Sequence, residues 1–399
     1  ATACHRLTQT NEEGGTDDEE FRVAAVIDRV NTTWQAWMGV TFGCVQCHSH
    51  PYDPFRHEEY YKFAAFFNNT VDCDLNEDFP LYAAPIDPAA YDQATSLDRK
   101  IDQLRNSIWT ADNALLTDEG AWKPLTKLQP RTNNATRVEV EHRDGYVEYR
   151  TVGTVSQNTD IAIESDLPRG LDRLTAVRVT ALPLDPGRAV PDSEWGFVWS
   201  HVTAELVVPG EAEPRELTIA RVVGDQPEPL LDPQASLDGK HPHGFAAYSR
   251  INYPRQAALV VDPPQTVPTG SRLRVTLAHR VFMLGAYPLV TRRGRLDVSS
   301  DLRWTEQERS PELQAQRNRL AEFAAARSKI QSVPTPVMRE RLPQFARPTH
   351  VFERGLFLDK GAKVDAGVPN ALPALKSDRP ADRLALGNWL GSRENPLTA

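Results

Sequence analysis

The spacing of apolar residues changes character along the chain. From about Asp17 to Met38, Phe21, Ala24, Ala25, Ile27, Asp28 and Thr32 fall near helical spacing, which predicts a helix. Gly14-Gly15 marks the turn before it, and Thr16 with Glu19 reads as a capping box with acids in the first turn. Asn11 to Glu20 packs six carboxylates into ten positions. A solvated helix N-terminus accounts for that run better than a cation site, since like-charge runs usually face water. A second helix is expected from His57 to Phe67, with a dense aromatic face of Tyr60, Phe63 and Phe67. Residues 72–97, with Pro80, Pro85 and Pro88, read as loop. Over residues 97–118, Leu97, Ile101, Leu104, Ile108, Ala111 and Leu115 step by three and four, which predicts a helical arm that Gly120 and Pro124 end.

From about Arg137 the period becomes two. Val138–Glu141, Tyr146–Arg150, Asp160–Ile163, Leu174–Thr180, Val202–Leu206, Ala257–Val261 and Ser271–Leu277 read as strands separated by Pro, Gly and Asp clusters. Many short strands with turn signals between them predict a sandwich or jelly roll. It closes near Leu296-Asp297-Val298. A helix follows over about Glu306–Lys329, starting near Ser310-Pro311, then an irregular, proline-bearing stretch over 333–376. Leu384, Leu386, Trp389 and Leu390 suggest a last short helix. The whole reads as an α+β multidomain chain. Its parts are a helical N-terminal domain over 1–96, a helical linker arm over 97–133, a β-sandwich over 134–300, and a helix with the start of a mainly helical C-terminal domain over 301–399.

Composition narrows the class. At 399 residues two or three domains are expected, and 40% hydrophobic with 8% aromatic residues is ordinary for a globular protein. A net charge of -9 argues against a nucleic-acid surface. No apolar run approaches a membrane span, and no signal peptide opens the chain. It begins at Ala1 without a Met and runs out in mid-pattern at Asn395–Ala399, so an excerpt of a longer protein is expected.

The strongest chemical signal is Cys44-Val45-Gln46-Cys47-His48, followed by Ser49-His50-Pro51-Tyr52-Asp53-Pro54. Cys-x-x-Cys-His is the attachment signature of c-type haem. Two thiols three positions apart on a turning backbone can each reach one vinyl group of the porphyrin. The adjoining imidazole of His48 is then carried under the iron as proximal ligand. The motif makes the N-terminal domain cytochrome-c-like, with covalent haem c held by Cys44, Cys47 and His48. Two other readings use the same residues. A structural zinc site wants four ligands, and Cys4-His5 could lend some. A dithiol redox motif wants a thioredoxin-like βαβ setting, which is not seen. Four cysteines do not make a disulfide framework, and spacing cannot decide whether Cys4 pairs with Cys73. Haem c is attached outside the bacterial cytoplasm, so the motif predicts the periplasm or cell surface.

His5 is the first candidate for a distal iron ligand, because it is far enough away in sequence to return on the other face; Met38 and His57 are alternatives, as is water. His50 is two residues from His48 and on the same side of the ring, so it is expected to hydrogen-bond within its loop. Asp53-Pro54 shapes the turn leaving the motif, and Asp28-Arg29 makes an ion pair or a cap. In the sandwich, Trp195, Trp199, Tyr248, His241 and His243 are candidates for sugar contact, since aromatic faces stack on pyranose rings. Core placement of Phe197 and Trp199 is the competing reading, because alternation puts Trp195, Phe197 and Trp199 on one face. No Gly-rich phosphate loop, Gly-x-Ser-x-Gly elbow or His-Glu-x-x-His is present, so no hydrolase motif is found.

Three blocks of sequence resemble the planctomycete-type cytochrome-c-containing proteins, a family of large exported bacterial proteins. The first block is Gly14–Arg22, Asp28–Thr33, Gly43–Pro54 and Tyr60-Tyr61; the second is the β-rich middle; the third is Glu353-Arg354-Gly355, Val368-Pro369, Arg383–Leu390 and Asn395-Pro396-Leu397. The resemblance implies a haem-c domain, a galactose-binding-like jelly roll and the opening of a C-terminal domain whose role is not established. It implies an exported protein with a haem-c motif, in organisms that often degrade sulfated polysaccharides, and names no reaction. The haem-c motif itself predicts a redox protein that relays electrons to a partner protein. Cys4 and Cys73 stand where the family is expected to have other residues.

Overall fold

The structure, a computed structural model, describes residues 3–8, 18–71, 79–192, 194–376 and 381–398. It is mixed α+β, with several antiparallel sheets and seven helices among the described residues: α1 Asp18–Met38, α2 His57–Asn68, α3 Tyr91–Leu116, α4 Pro186–Asp192, α5 Arg303–Glu308, α6 Pro311–Ser328 and α7 Arg383–Leu390. The chain divides into two units, one of residues 1–84 with 334–399, the other of residues 85–333.

The first unit is built on α1 and α2. The buried stripe of α1 is Val23, Val26, Val30, Trp34 and Met38, at steps of three and four. Ala24, Asp28 and Thr32, which sequence spacing placed with the apolar set, lie on the exposed side. Thr16, half of the expected capping box, lies outside the described residues. Glu19, the other half, pairs with buried Arg22 at 2.6 Å, and Arg22 also donates to Asn68 Oδ1, which ties α1 to the end of α2. Burial alone would raise the Glu19 carboxyl, but the guanidinium more than offsets it and holds the pKa below its ordinary value. Buried Glu59 closes the start of α2 by accepting from the Arg56 amide at 2.8 Å and from the Asn370 amide at 2.9 Å.

That last bond shows how the unit is assembled. A hairpin of Thr349–Phe352 and Lys360–Val364, inside the stretch expected to be irregular, packs on α2. Met338, Val351, Val364, Leu386 and Trp389 join Trp34, Phe42, Phe63 and Phe67 in one core. The helical domain expected over 1–96 is therefore not a separate body. Two helices cannot cover a face this aromatic alone, and the C-terminal segment supplies the missing side of the core.

The second unit is a sandwich of two antiparallel sheets. The five-stranded sheet runs Arg215–Glu216, His201–Val207, Arg272–Ala278, Asp160–Asp166, Gln129–Thr132. The seven-stranded sheet runs Ile219–Gly224, Arg255–Thr266, Arg173–Leu182, Arg293–Ser299, Tyr146–Val152, Arg137–Arg143, with Lys123–Pro124 also paired to Arg293–Ser299. All seven strands read from the sequence are present. Ile163, Val177, Val179, Ala204, Leu259, Val275 and Leu296 share the core between the sheets. Along Arg173–Leu182 the alternate residues Ala176, Arg178 and Thr180 are also buried, under a second layer that includes Leu116, Trp122 and Trp304. Arg178 is held there by Asp297 at 3.1 Å, by Glu119 at 2.9 Å and by the Trp122 ring, 4.9 Å from the guanidinium carbon.

The expected arm over 97–133 is the body of this second layer, not a linker. Helix α3 starts six residues before Leu97, because Asp87 and Pro88 form a turn that leads straight into it. It runs antiparallel to α5 and α6: Asp98 meets Arg327, Lys100 lies over Phe323, and Asp112 accepts from Gln307. The single helix expected over 306–329 is two, broken before Ser310, whose hydroxyl caps α6 with Pro311 in its first turn.

Candidate functional site

Between α1 and α2 the chain makes a short 3-10 turn, Gly43–Gln46. Phe42 and Val45, both fully buried, anchor it. Phe42 stacks on Trp34 at 4.0 Å and on Tyr60 at 5.3 Å, with Phe55 edge-on to both Phe42 and Trp34. Because Val45 points into this stack, its neighbours cannot. Cys44, Cys47 and His48 are exposed, and Cys44 and Cys47 are free thiols. The Gln46 carbonyl accepts from His57 Nε2 and from Tyr61 Oη, each at 2.8 Å, so two residues of α2 pin the turn. Burial, with Cys47 and Glu353 close by, pushes the Tyr61 phenol up, so it stays a donor.

His48 Nδ1 lies 2.9 Å from the Ser49 carbonyl. An imidazole can meet a carbonyl only by donating, so Nδ1 carries the proton and the Nε2 lone pair is left for another partner. Metal-ligating histidines are commonly oriented by such a bond. His50 is turned into its own loop, as expected: its Nδ1 accepts from the Asp53 amide at 2.8 Å, and its amide donates to the Phe55 carbonyl at 2.9 Å. Asp53 Oδ2 also lies 3.2 Å from that nitrogen. The amide bond decides the tautomer, because a neutral Nδ1 cannot accept and donate at once. Tyr52 at the loop tip is 93% exposed.

The distal candidates are scattered: His57 stands at the motif, whereas His5 does not. His5 packs on Phe67 at 5.2 Å, and its carbonyl accepts from Arg29 Nε. Phe67 is ten residues beyond His57, or about 15 Å along α2. His5 thus sits at the other end of that helix from the turn that His57 holds. Burial first, then Arg29 and Arg383, lowers its pKa. Met38 is buried in the aromatic core, and His57 has committed Nε2 to Gln46. Among the described residues no three His, Cys, Asp or Glu side chains form a metal-holding cluster. Cys73 lies outside the described residues.

In the sandwich, Trp199 is fully buried, with Nε1 donating to Thr291 Oγ1 at 2.8 Å, so it is core and offers no face to a sugar. Trp195 is half-buried, stacked on Tyr287 at 4.7 Å with the Arg250 guanidinium 3.6 Å from its ring centre. Two planar groups already lie against it. The Tyr248 hydroxyl donates to Met283 Sδ. His241 and His243 are exposed, with His241 beside Asp238 at 3.1 Å. Gly196 lies so close to the Ala247 carbonyl that a Cβ would stand 1.7 Å from it, which explains the glycine between two aromatics.

Two features escaped the sequence reading. One is a concavity of about 450 Å³ on the outer face of the five-stranded sheet, lined by Gln129, Arg131, Ala162, Glu164, Glu205, Arg274 and Thr276. Arg274 stands opposite Glu164 on one side and Glu205 on the other, and pairs with both, at 3.0 and 3.2 Å. Outward charges alternating with buried residues were the available signal. The other is the approach of Gly355 to the motif: a Cβ built there would meet Cys47 Sγ at 2.9 Å. Residues three hundred apart carry no local pattern that announces this.

Comparison with known families places residues 1–72 on the family model PSCyt2, described as protein of unknown function (DUF1549). No curated protein matches the chain. Among solved structures, one described as the crystal structure of the Agl-KA catalytic domain is similar at 9% identity and a TM-score of 0.18. The match covers 45% of this chain and 29% of that one, and a likeness this slight carries no argument. No described helix is long and apolar enough to cross a membrane.

Proposed function

We propose that this chain is part of an exported c-type cytochrome-like protein that relays electrons. Haem c would be bound through thioethers at Cys44 and Cys47, with His48 as the proximal ligand. One observation carries the reading: two exposed, unbridged thiols stand beside an imidazole whose Nδ1 is tied to a carbonyl and whose Nε2 lone pair is left over. This donor set fits the group. Thioether formation needs both sulfurs accessible, and axial ligation needs a neutral, oriented imidazole nitrogen. The buried Phe42 and Val45 hold the turn so that the reactive atoms stay outside the core. Bound there, an iron porphyrin supplies a one-electron redox couple. The remaining work belongs to the protein: His57 and Tyr61 fix the turn, and the exposed face is open to a partner protein. In this reading the protein works in the periplasm or at the cell surface, because haem c is attached outside the bacterial cytoplasm.

The sandwich is the docking element of this reading, with a polysaccharide or a protein as its target. For carbohydrate, the exposed Tyr287 ring is what the Trp195–Tyr287 stack offers, since Tyr287 and Arg250 lie against the indole, while Trp199 leaves the proposal. The test is expression of the chain behind an export signal with a haem-maturation system, followed by a pyridine haemochrome spectrum of the denatured protein. Covalent haem in the native chain and none in a Cys44→Ser/Cys47→Ser variant is the expected result. A native chain that emerges without haem, or with stoichiometric zinc instead, overturns it.

A further inference from the structure

The loop that touches Cys47 has an unusual backbone. Arg354 (φ 54°) and Gly355 (φ 78°) are consecutive left-handed residues in a tight turn over Glu353–Gly355. Asp359 closes the loop, its carbonyl accepting from the Glu353 amide at 2.9 Å. Glycine at 355 has two physical reasons: its positive φ, and the 2.9 Å that would separate a Cβ from Cys47 Sγ. Arginine at 354 has neither. A left-handed conformation costs a residue with a Cβ about 1 kcal/mol, which glycine would avoid.

The side chain that carries this cost does nothing visible within the fold. Arg354 is exposed and makes no ion pair with a described residue. Its acidic neighbour is not its partner, because Glu353 turns its carboxylate back toward Gly361. The same loop leaves Leu356 and Leu358 exposed, at 59% and 73%. An unused guanidinium and two uncovered leucines therefore lie on a loop whose backbone rests against one of the two motif thiols.

We infer that this loop forms a second wall of the Cys44–Cys47–His48 site, and that Arg354 anchors the carboxylate groups of the porphyrin bound there. The inference rests on the haem reading above. The chemistry matches at three points. An iron porphyrin is apolar on its faces, which suits leucines. It is anionic at its edge, which suits a cation. Its carboxylates are planar, two-oxygen acceptors, which suits the forked donor of an arginine.

The test titrates the full chain with ferric protoporphyrin IX and with its dimethyl ester, which lacks the two negative charges, followed by visible absorbance. The native protein is expected to bind the diacid about 5- to 10-fold more tightly than the ester, the net worth of about one hydrogen bond. Arg354→Gly should abolish that preference and leave ester binding unchanged, while Arg354→Lys keeps part of it. Arg354→Gly should also leave the fold at least as heat-stable, which separates loss of an anchor from loss of structure. Equal affinities for diacid and ester in the native chain, unaltered in Arg354→Gly, overturn the anchor and leave the haem reading standing. Failure of the native chain to bind either porphyrin overturns the wall and the anchor; the haem reading falls only if the chain also emerges without covalent haem from the maturation system.

Discussion

The two units treat similar residues in opposite ways. In the first, the core is aromatic and the motif groups are outside it: Trp34, Phe42 and Tyr60 are buried, while Cys44, Cys47 and His48 face solvent. In the second, a histidine and an arginine are enclosed in the fold, although His241 and His243 are exposed. His279 is fully enclosed, accepting from the Thr291 amide on Nε2 and donating to the Thr159 carbonyl from Nδ1. Thr291 Oγ1 in turn takes the Trp199 indole proton. Arg178, buried between its two carboxylates, belongs to the same class. A buried polar group that is fully satisfied specifies the fold, whereas one left exposed and uncommitted is free for chemistry. The comparison teaches that residue type alone does not separate the two uses.

The sharpest way to break the contrast is at Trp199. Replacing it with Ala empties a core position and strands Thr291, so chemical denaturation should show a loss of about 3–5 kcal/mol. A loss below about 1 kcal/mol would return Trp199 to the list of surface residues and reopen it to sugar. Acid comes next. Burial holds His279 down to about 4, against an ordinary 6.5. Above pH 6.5 the imidazole is neutral whether folded or unfolded, and stability is full. As pH falls from 6.5 toward 4 only the unfolded chain takes up the proton, so stability drops by about 3 kcal/mol and then levels. His279→Gln should flatten this part of the pH profile; an unchanged profile would show that the ring is not enclosed as described.

Smaller effects lie in the first unit. Asp382 accepts from the Ala385 amide at 2.8 Å and caps α7. Asp382→Ala should cost about 1 kcal/mol, measured by thermal melting, because the cap lies at the rim of the core and not in it. The least change of all is expected at the motif. With both thiols exposed, Cys44→Ser/Cys47→Ser should move the stability of the haem-free chain by no more than about 0.5 kcal/mol. A large loss there would mean the motif is structural and would erase the distinction between the two units.

Much of this arrangement was legible in advance. The seven strands of the sandwich followed from alternation, because a strand with one face in a core must alternate. Helices α1 and α2 and the motif between them followed from spacing and from a five-residue signature. The hairpin of Thr349–Phe352 with Lys360–Val364 did not, since its strands are short and its partner helix is nearly three hundred residues away. Nor did the placement of His5: sequence distance allowed a return to the motif, and packing on Phe67 took it elsewhere. Alternation put Trp195 and Trp199 on one strand face, yet the strand ends at Val198, and one indole is half-buried while the other is fully enclosed.

By itself, the sequence determined what is local: the period of each element, its caps and turns, and the presence of two thiols and an imidazole at haem-attachment spacing. These depend on neighbours within a few positions, where backbone geometry allows few alternatives. The tertiary structure alone decided which residues remain available. Exposure of the motif, enclosure of Trp199 and His279, and the approach of Gly355 to Cys47 all arise from contacts between distant segments, which are selected by how the whole core fills and not by any local pattern.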